Sequence, residues 1–168
     1  MALFVTVGST GFDELIRETT SPAFLDLAYE IGLKAIVYQY GSSREAFNDN
    51  IACYEGKLID IVGYDYKPSI TEDMEKSDIV ISHAGAGTIL QALRLKHTKL
   101  IMVVNASLMN NHQLELAEAI ESQRYAVLSE PRDLLKTLKH VNSMNFTPFN
   151  DAEPDIFASI VDQQMGFD

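Results

Sequence analysis

Short runs of aliphatic and β-branched residues alternate along the chain with stretches whose apolar positions recur at helical spacing. The runs predict strands near Leu3–Val7, Lys34–Gln39, Leu58–Tyr64, Asp78–Ser82, Lys99–Val104 and Tyr125–Leu128. The periodic stretches predict helices near Phe12–Thr19, Pro22–Ile31, Ile70–Lys76, Thr88–Leu95, Asn111–Ser122 and Pro131–Val141, with a last one near Glu153–Met165. Two starts carry capping signals: Ser69 with Glu72 three residues on, and Ser129 just before Pro131. Gly41 to Asn50 reads as an exposed loop, and Asn142 to Ala152 as a linker into the final helix.

The runs Ile79-Val80-Ile81 and Leu100 to Val104 are apolar on both faces. Such strands belong to a parallel sheet covered by helices on both sides. The alternation therefore predicts an α/β fold, a Rossmann-like doubly wound parallel sheet. Residues 1–141 would form that domain, and residues 142–168 the linker and C-terminal helix.

Ligands of an open parallel sheet sit outside the carboxyl ends of its strands. Three predicted strands are followed there by small or polar residues that lead into a helix. These are Gly8-Ser9-Thr10-Gly11, His83-Ala84-Gly85-Ala86-Gly87-Thr88, and Asn105 to Asn111 followed by His112-Gln113. Unpaired N–H groups at a helix start, glycines that let an anion approach, and a hydroxyl donor together suit a diphosphate. Turn geometry alone also calls for glycine, and two such loops in one domain tip the reading towards a nucleotide. In Asn110-Asn111-His112-Gln113, Asn110 can cap a helix with Gln113 as its box partner; the same amides and imidazole can also bind sugar hydroxyls. Both readings stand.

Composition and missing motifs narrow the classes. Of 168 residues, 46% are hydrophobic and 22% charged, enough for one well-cored domain. The formal charge of −11 argues against nucleic-acid binding and against adsorption to anionic lipid. Cys53, the single cysteine, has no partner for an internal disulfide, which points to a reducing compartment. The start, MALFVTVGST, reads as a first strand rather than a signal peptide. No apolar run approaches the roughly 18–20 residues of a membrane span. There is no G-x-x-x-x-G-K-[ST], and the G-x-G of 85–87 follows the fourth strand, so P-loop and dinucleotide chemistry are disfavoured. His83, His97, His112 and His140 lack metal-ligand spacing, so no metal and no cofactor is expected.

"FVTVGST", "DIVISHAGAGTILQAL" and "LMNNHQLELA" together resemble the small cytosolic subunit of a two-subunit N-acetylglucosaminyltransferase of asparagine-linked glycosylation. The likeness runs from about residue 2 to 128, with a weaker echo in the last helix, and "SHAGAG" followed about 25 residues later by "LMNNHQLELA" is its most specific part. A diluted form of the pattern belongs to the C-terminal, donor-binding half of GT-B glycosyltransferases.

The resemblance implies a donor, UDP-GlcNAc, and an acceptor, GlcNAc-diphospho-dolichol, joined by an inverting β-1,4 transfer. It implies that Gly8, Ser9 and Thr10 line the donor cleft and that Gly85, Ala86, Gly87 and Thr88 hold the diphosphate. Asn111, His112 and Gln113 fall where the family binds the donor sugar, and Tyr66 and Lys67 lie near its uracil loop. Glutamate is usual at the position of Gln91, where it binds the ribose hydroxyls. Glutamine keeps an acceptor there but loses the charge, roughly a twofold effect on that bond. His83 and His112 are the catalytic candidates in this chain, whereas in related two-domain enzymes the general base comes from the other half.

A GT-B site lies between two Rossmann-like domains, and this length accommodates one. The resemblance supplies the other as a membrane-anchored, acceptor-binding subunit. It would form a heterodimer with this cytoplasmic chain and recruit it to the cytosolic face of the endoplasmic reticulum. Ile156, Phe157, Ile160, Val161 and Met165 form a stripe at helical spacing, which fits either the domain's own sheet or that partner. A nucleotide-sugar-binding regulatory or scaffold module without transferase activity is the alternative.

Overall fold

The structure is a computed structural model that describes residues 1–56, 58–105, 111–150 and 158. Its elements run β1 (Ala2–Thr6), α1 (Asp13–Thr19), α2 (Pro22–Glu30), β2 (Ala35–Gln39), α3 (Arg44–Cys53), β3 (Asp60–Tyr64), α4 (Thr71–Glu75), β4 (Ile79–His83), α5 (Ala86–Leu93), β5 (Lys99–Val103), α6 (Asn111–Ser122), β6 (Val127–Ser129), a 3₁₀ turn (Pro131–Asp133) and α7 (Leu134–Val141). The six strands form one sheet in the order β3-β2-β1-β4-β5-β6, and every neighbouring pair is parallel. This is the doubly wound Rossmann order, whose direction of winding reverses between β1 and β4.

Strand alternation divides the core in two. Leu3, Val5, Ile36, Tyr38, Ile79, Ile81, Ile101 and Val103 face one layer, built from α1, α2, α3 and α7. Phe4, Val80, Leu100 and Met102 face the other, built from α4, α5 and α6. Both layers explain why the central strands read as unbroken apolar runs.

Several element ends shift by one to three residues, and four readings are corrected outright. Residues 41–50 are not an exposed loop, because α3 begins at Arg44 and buries Ala46 and Phe47. The Phe47 ring packs on Tyr38 and Tyr40 at centroid distances of 5.3 and 5.0 Å. The Asn50 amide donates to the Arg17 carbonyl and the Thr20 hydroxyl at 3.0 and 2.9 Å. These tertiary contacts override the poor helix propensity of Asn48-Asp49-Asn50. Helix α5 starts at Ala86 rather than Thr88, so Gly87 and Thr88 lie within its first turn. Ser69 and Glu72 form no capping box. The Ser69 hydroxyl accepts from the Thr71 N–H at 3.3 Å, and Glu72 is taken by Lys76 at 2.5 Å. Ser129 caps nothing; its hydroxyl turns to the Glu130 carbonyl and to Thr137. Residues 142–150 form no helix or strand, and Phe146 and Phe149 pack against the two core clusters; the end of the expected Asn142–Ala152 linker lies outside the described residues. The expected helix near Glu153–Met165 and the proposed cap at Asn110 lie outside the described residues.

Candidate functional site

The loops after β1 and β4 meet at the reversal point of the sheet. The Thr6 hydroxyl, fully buried at the end of β1, donates to Gln39 Oε1 on β2 at 2.5 Å and accepts from the Gly8 N–H at 3.4 Å. The segment after β2 then clamps the first loop. The Ser42 hydroxyl donates to the Thr10 carbonyl, and the Phe12 N–H donates to the Ser43 hydroxyl at 2.8 Å. Gly41 has φ +55°, and a β-carbon there would collide with the Gly8 carbonyl oxygen. Gly8 has φ +70°. In this loop, glycine is therefore required by the backbone and by close chain approach. Ser9 and Thr10 remain exposed above it.

The second loop is built around His83. An ideal β-carbon on Gly8 would lie 3.1 Å from the ring's Cε1, and one on Gly85 would lie 2.7 Å from Nε2. The imidazole is thus wedged between two glycines, one from each loop. Its Nδ1 is buried and makes no hydrogen bond of normal geometry among the described residues. Burial holds the His83 pKa below its usual range, and the Thr6 backbone pulls more weakly the other way. The ring is neutral at physiological pH.

Gly85 then occupies the N-cap position of α5, with no side-chain cap, and its carbonyl accepts from the Ile89 N–H at 3.0 Å. Ala86, Gly87 and Thr88 form the first turn, where N–H groups have no partner within the helix. Gly87 differs from the other glycines of the site. It is exposed, and a β-carbon there would meet nothing within 4 Å among the described residues. Glycine inside a helix costs about 0.5–1 kcal/mol relative to alanine, and no packing among the described residues requires it.

One turn further along α5, the Gln91 amide donates to the Thr71 hydroxyl at the start of α4, at 2.5 Å. Beside it, Lys67 pairs with Asp73 at 2.9 Å and lies 4.1 Å from the centroid of the Tyr64 ring. The Tyr64 hydroxyl donates to Asp73 at 2.5 Å. Burial, then that bonded carboxylate, push the Tyr64 phenol far above its usual range. Tyr66 is 64% exposed. β5 lies next to β4, so its carboxyl end opens onto the same edge of the sheet. There α6 begins at Asn111, with His112 exposed and Gln113 half-buried.

The structure thus joins Gly8, Ser9, Thr10 and His83 to the start of α5, and sets α6 at the same sheet end. Sequence reasoning missed the Gly41-Ser42-Ser43 clamp and the Thr71 contact. The first had a signal, glycine followed by two hydroxyls directly after β2. The second joins residues twenty apart and had none.

A doubly wound parallel sheet with an uncapped, glycine-bearing helix at its reversal point defines a Rossmann-like domain with its ligand end at β1 and β4. Residues 2–164 match the sequence profile of the glycosyltransferase family 28 C-terminal domain. The chain belongs to that family. The human protein named UDP-N-acetylglucosamine transferase subunit ALG13 is 41% identical over 124 residues, which are 72% of this chain and 10% of that protein. The Yarrowia lipolytica protein of the same name is 31% identical over 172 residues, covering 99% of this chain and 85% of the relative. This chain therefore spans about a tenth of the human relative and most of the yeast one. Among solved structures, the NMR structure of ALG13 superposes with a TM-score of 0.74 at 25% identity, covering 95% of this chain and 94% of that one. The crystal structure of Acinetobacter baumannii MurG gives 0.66 at 18% identity, covering 96% of this chain and 45% of that one. The fold is thus that of one domain of a GT-B glycosyltransferase. No helix among the described residues is long and apolar enough to cross a membrane.

Proposed function

We propose that this chain is the donor-binding subunit of a UDP-GlcNAc transferase that adds the second GlcNAc to GlcNAc-diphospho-dolichol. The transfer inverts the anomeric carbon and forms a β-1,4 bond. A membrane-anchored subunit supplies the acceptor half and holds the heterodimer on the cytosolic face of the endoplasmic reticulum. The relatives' printed name, a transferase subunit, supports a partner.

Gly87 carries the reading. Its bare Cα in the first turn of α5 is unexplained by packing among the described residues, and it is what a diphosphate needs to reach the helix amides. The amides of Ala86, Gly87 and Thr88 and the Thr88 hydroxyl then stabilise the charge that builds on departing UDP, with no metal required. Gly8, Ser9 and Thr10 border the donor from the β1 side, and Gln91 takes the ribose. Asn111, His112 and Gln113 meet the donor sugar from α6.

A base must remove the proton of the acceptor's 4-hydroxyl as it attacks the anomeric carbon. His83 is neutral but wedged between Gly8 and Gly85, which suits a spacer that sets the distance between the two loops. His112 is exposed at the start of α6, which suits contact with the sugar. The base is therefore assigned to the partner's half. The test is transfer of radiolabelled GlcNAc from UDP-GlcNAc to GlcNAc-diphospho-polyprenol by this chain, by the membrane subunit, and by both. Activity confined to the mixture supports a shared site. An inactive mixture, with the complex demonstrated, would overturn the transferase role and leave a nucleotide-sugar-binding module.

A further inference from the structure

The segment after β2 holds one side of the loop after β1. A β-carbon on Gly41 would strike the carbonyl oxygens of Gly8 and Ser9, and the Ser42 hydroxyl donates to the Thr10 carbonyl. Three consecutive carbonyls therefore face residues 41 and 42. In a trans peptide the C=O and N–H point in opposite directions, so the N–H groups of Ser9, Thr10 and Gly11 are turned away from that segment. None of the three donates a hydrogen bond among the described residues. The row ends at Phe12, whose N–H turns back to the Ser43 hydroxyl at 2.8 Å.

Strand order decides what the row faces. β2 and β4 flank β1 on opposite sides. The side away from residues 41 and 42 is therefore the side of the β4–α5 loop, where His83 reaches Gly8. A row of backbone amides of this kind makes an anion-binding concavity, and here it faces the uncapped start of α5.

We propose that Ser42 is a positioning residue: by holding the Thr10 carbonyl on the β2 side, it keeps the Ser9–Gly11 amides aimed across the site at the diphosphate of a nucleotide seated on α5. The inference rests on the donor site proposed above. Ser42 acts through the loop and not on the ligand. Without its hydroxyl, the Thr10–Gly11 peptide loses the bond that sets its orientation, and its carbonyl is free to turn its negative end towards the anion. Gly11 shows how closely the two segments fit, since a β-carbon there would strike the Ser42 hydroxyl and lie 2.7 Å from that of Ser43.

The test is NMR titration of the full chain with UDP and with uridine, for the wild type, Ser42→Ala and Ser42→Thr. In the wild type, UDP should shift the Ser9, Thr10 and Gly11 amides as well as those of the first turn of α5. Ser42 is exposed, so its truncation should leave the fold intact. Ser42→Ala should lower UDP affinity by about three- to tenfold, the worth of one neutral hydrogen bond, with uridine affinity nearly unchanged. Its Ser9–Gly11 shifts should shrink while those of Ala86 to Thr88 persist. Ser42→Thr keeps the hydroxyl and should restore both. A merely structural role for Ser42 would weaken the two ligands alike. Unmoved Ser9–Gly11 amides in the UDP-saturated wild type, an unchanged UDP affinity in Ser42→Ala, or an equal loss for UDP and uridine would overturn the proposal while leaving the donor site standing. If UDP moved no amide of α5 in the wild type either, the donor-site reading would fall, and this inference with it.

Discussion

The His83 imidazole fills the space that a β-carbon on Gly85 would need, with Nε2 2.7 Å from that ideal position. The loop after β4 therefore folds round its own histidine, and the same Cε1–Nε2 edge of the ring also reaches Gly8 in the loop after β1. His83 thereby couples the two loops that frame the start of α5.

This coupling predicts a pH effect. Burial lowers the folded His83 pKa from its ordinary 6.5, so the unfolded chain protonates first as pH falls. The contribution of His83 is fully present above pH 6.5 and declines as pH falls from there towards the lower folded value. The slope from this one group is at most about 1.4 kcal/mol per pH unit. Urea unfolding of the wild type and His83→Ala between pH 7.5 and 5 measures it. The variant should be less stable overall but lose less stability on acidification.

Gly87→Ala separates folding from binding. The added methyl enters open space, so unfolding stability should hold or rise by about 0.5–1 kcal/mol. UDP affinity should fall at least about fivefold as the methyl obstructs the anion's approach. Thermal unfolding and UDP titration on one preparation check both signs.

Gly41→Ala should behave oppositely. With φ at +55° and the Gly8 carbonyl in the way, it should destabilise the fold by about 2–4 kcal/mol. Gly32→Ala is the control, since its φ of +94° is strained but its surroundings are empty. Denaturant unfolding should rank Gly41→Ala as the more damaging of the two.

Phe47→Ala tests the helix that the sequence concealed. Phe47 is 8% exposed and packs on two tyrosines. Its truncation should cost about 3 kcal/mol and weaken the clamp that Ser42 and Ser43, just before α3, place on the first loop.

The legibility of the chain follows the range of the forces involved. Strands such as Ile79-Val80-Ile81 were readable because burial on both faces leaves an unbroken apolar run, and the family was readable from loops that are contiguous in sequence. Helix α3 was not, because Asn48, Asp49 and Asn50 argue locally against it, and what argues for it are contacts distant in sequence, such as Phe47 on Tyr38 and Asn50 on Thr20. The Ser69–Glu72 spacing misled because Lys76 claims Glu72. Of the site, glycine positions were legible but not their reasons. Gly8 and Gly85 answer to the chain's own packing, and only the empty space around Gly87 separates it from them.

The central claim is that the donor diphosphate seats on the first turn of α5. Titrating the isotope-labelled chain with UDP-GlcNAc and following its backbone amides by NMR tests this most directly. The account predicts the largest shifts at Ala86, Gly87 and Thr88, with smaller ones at Gly8 to Thr10. Largest shifts in the groove beside β6, at Ser129, Lys136 and His140, with Ala86 to Thr88 unmoved, would contradict it.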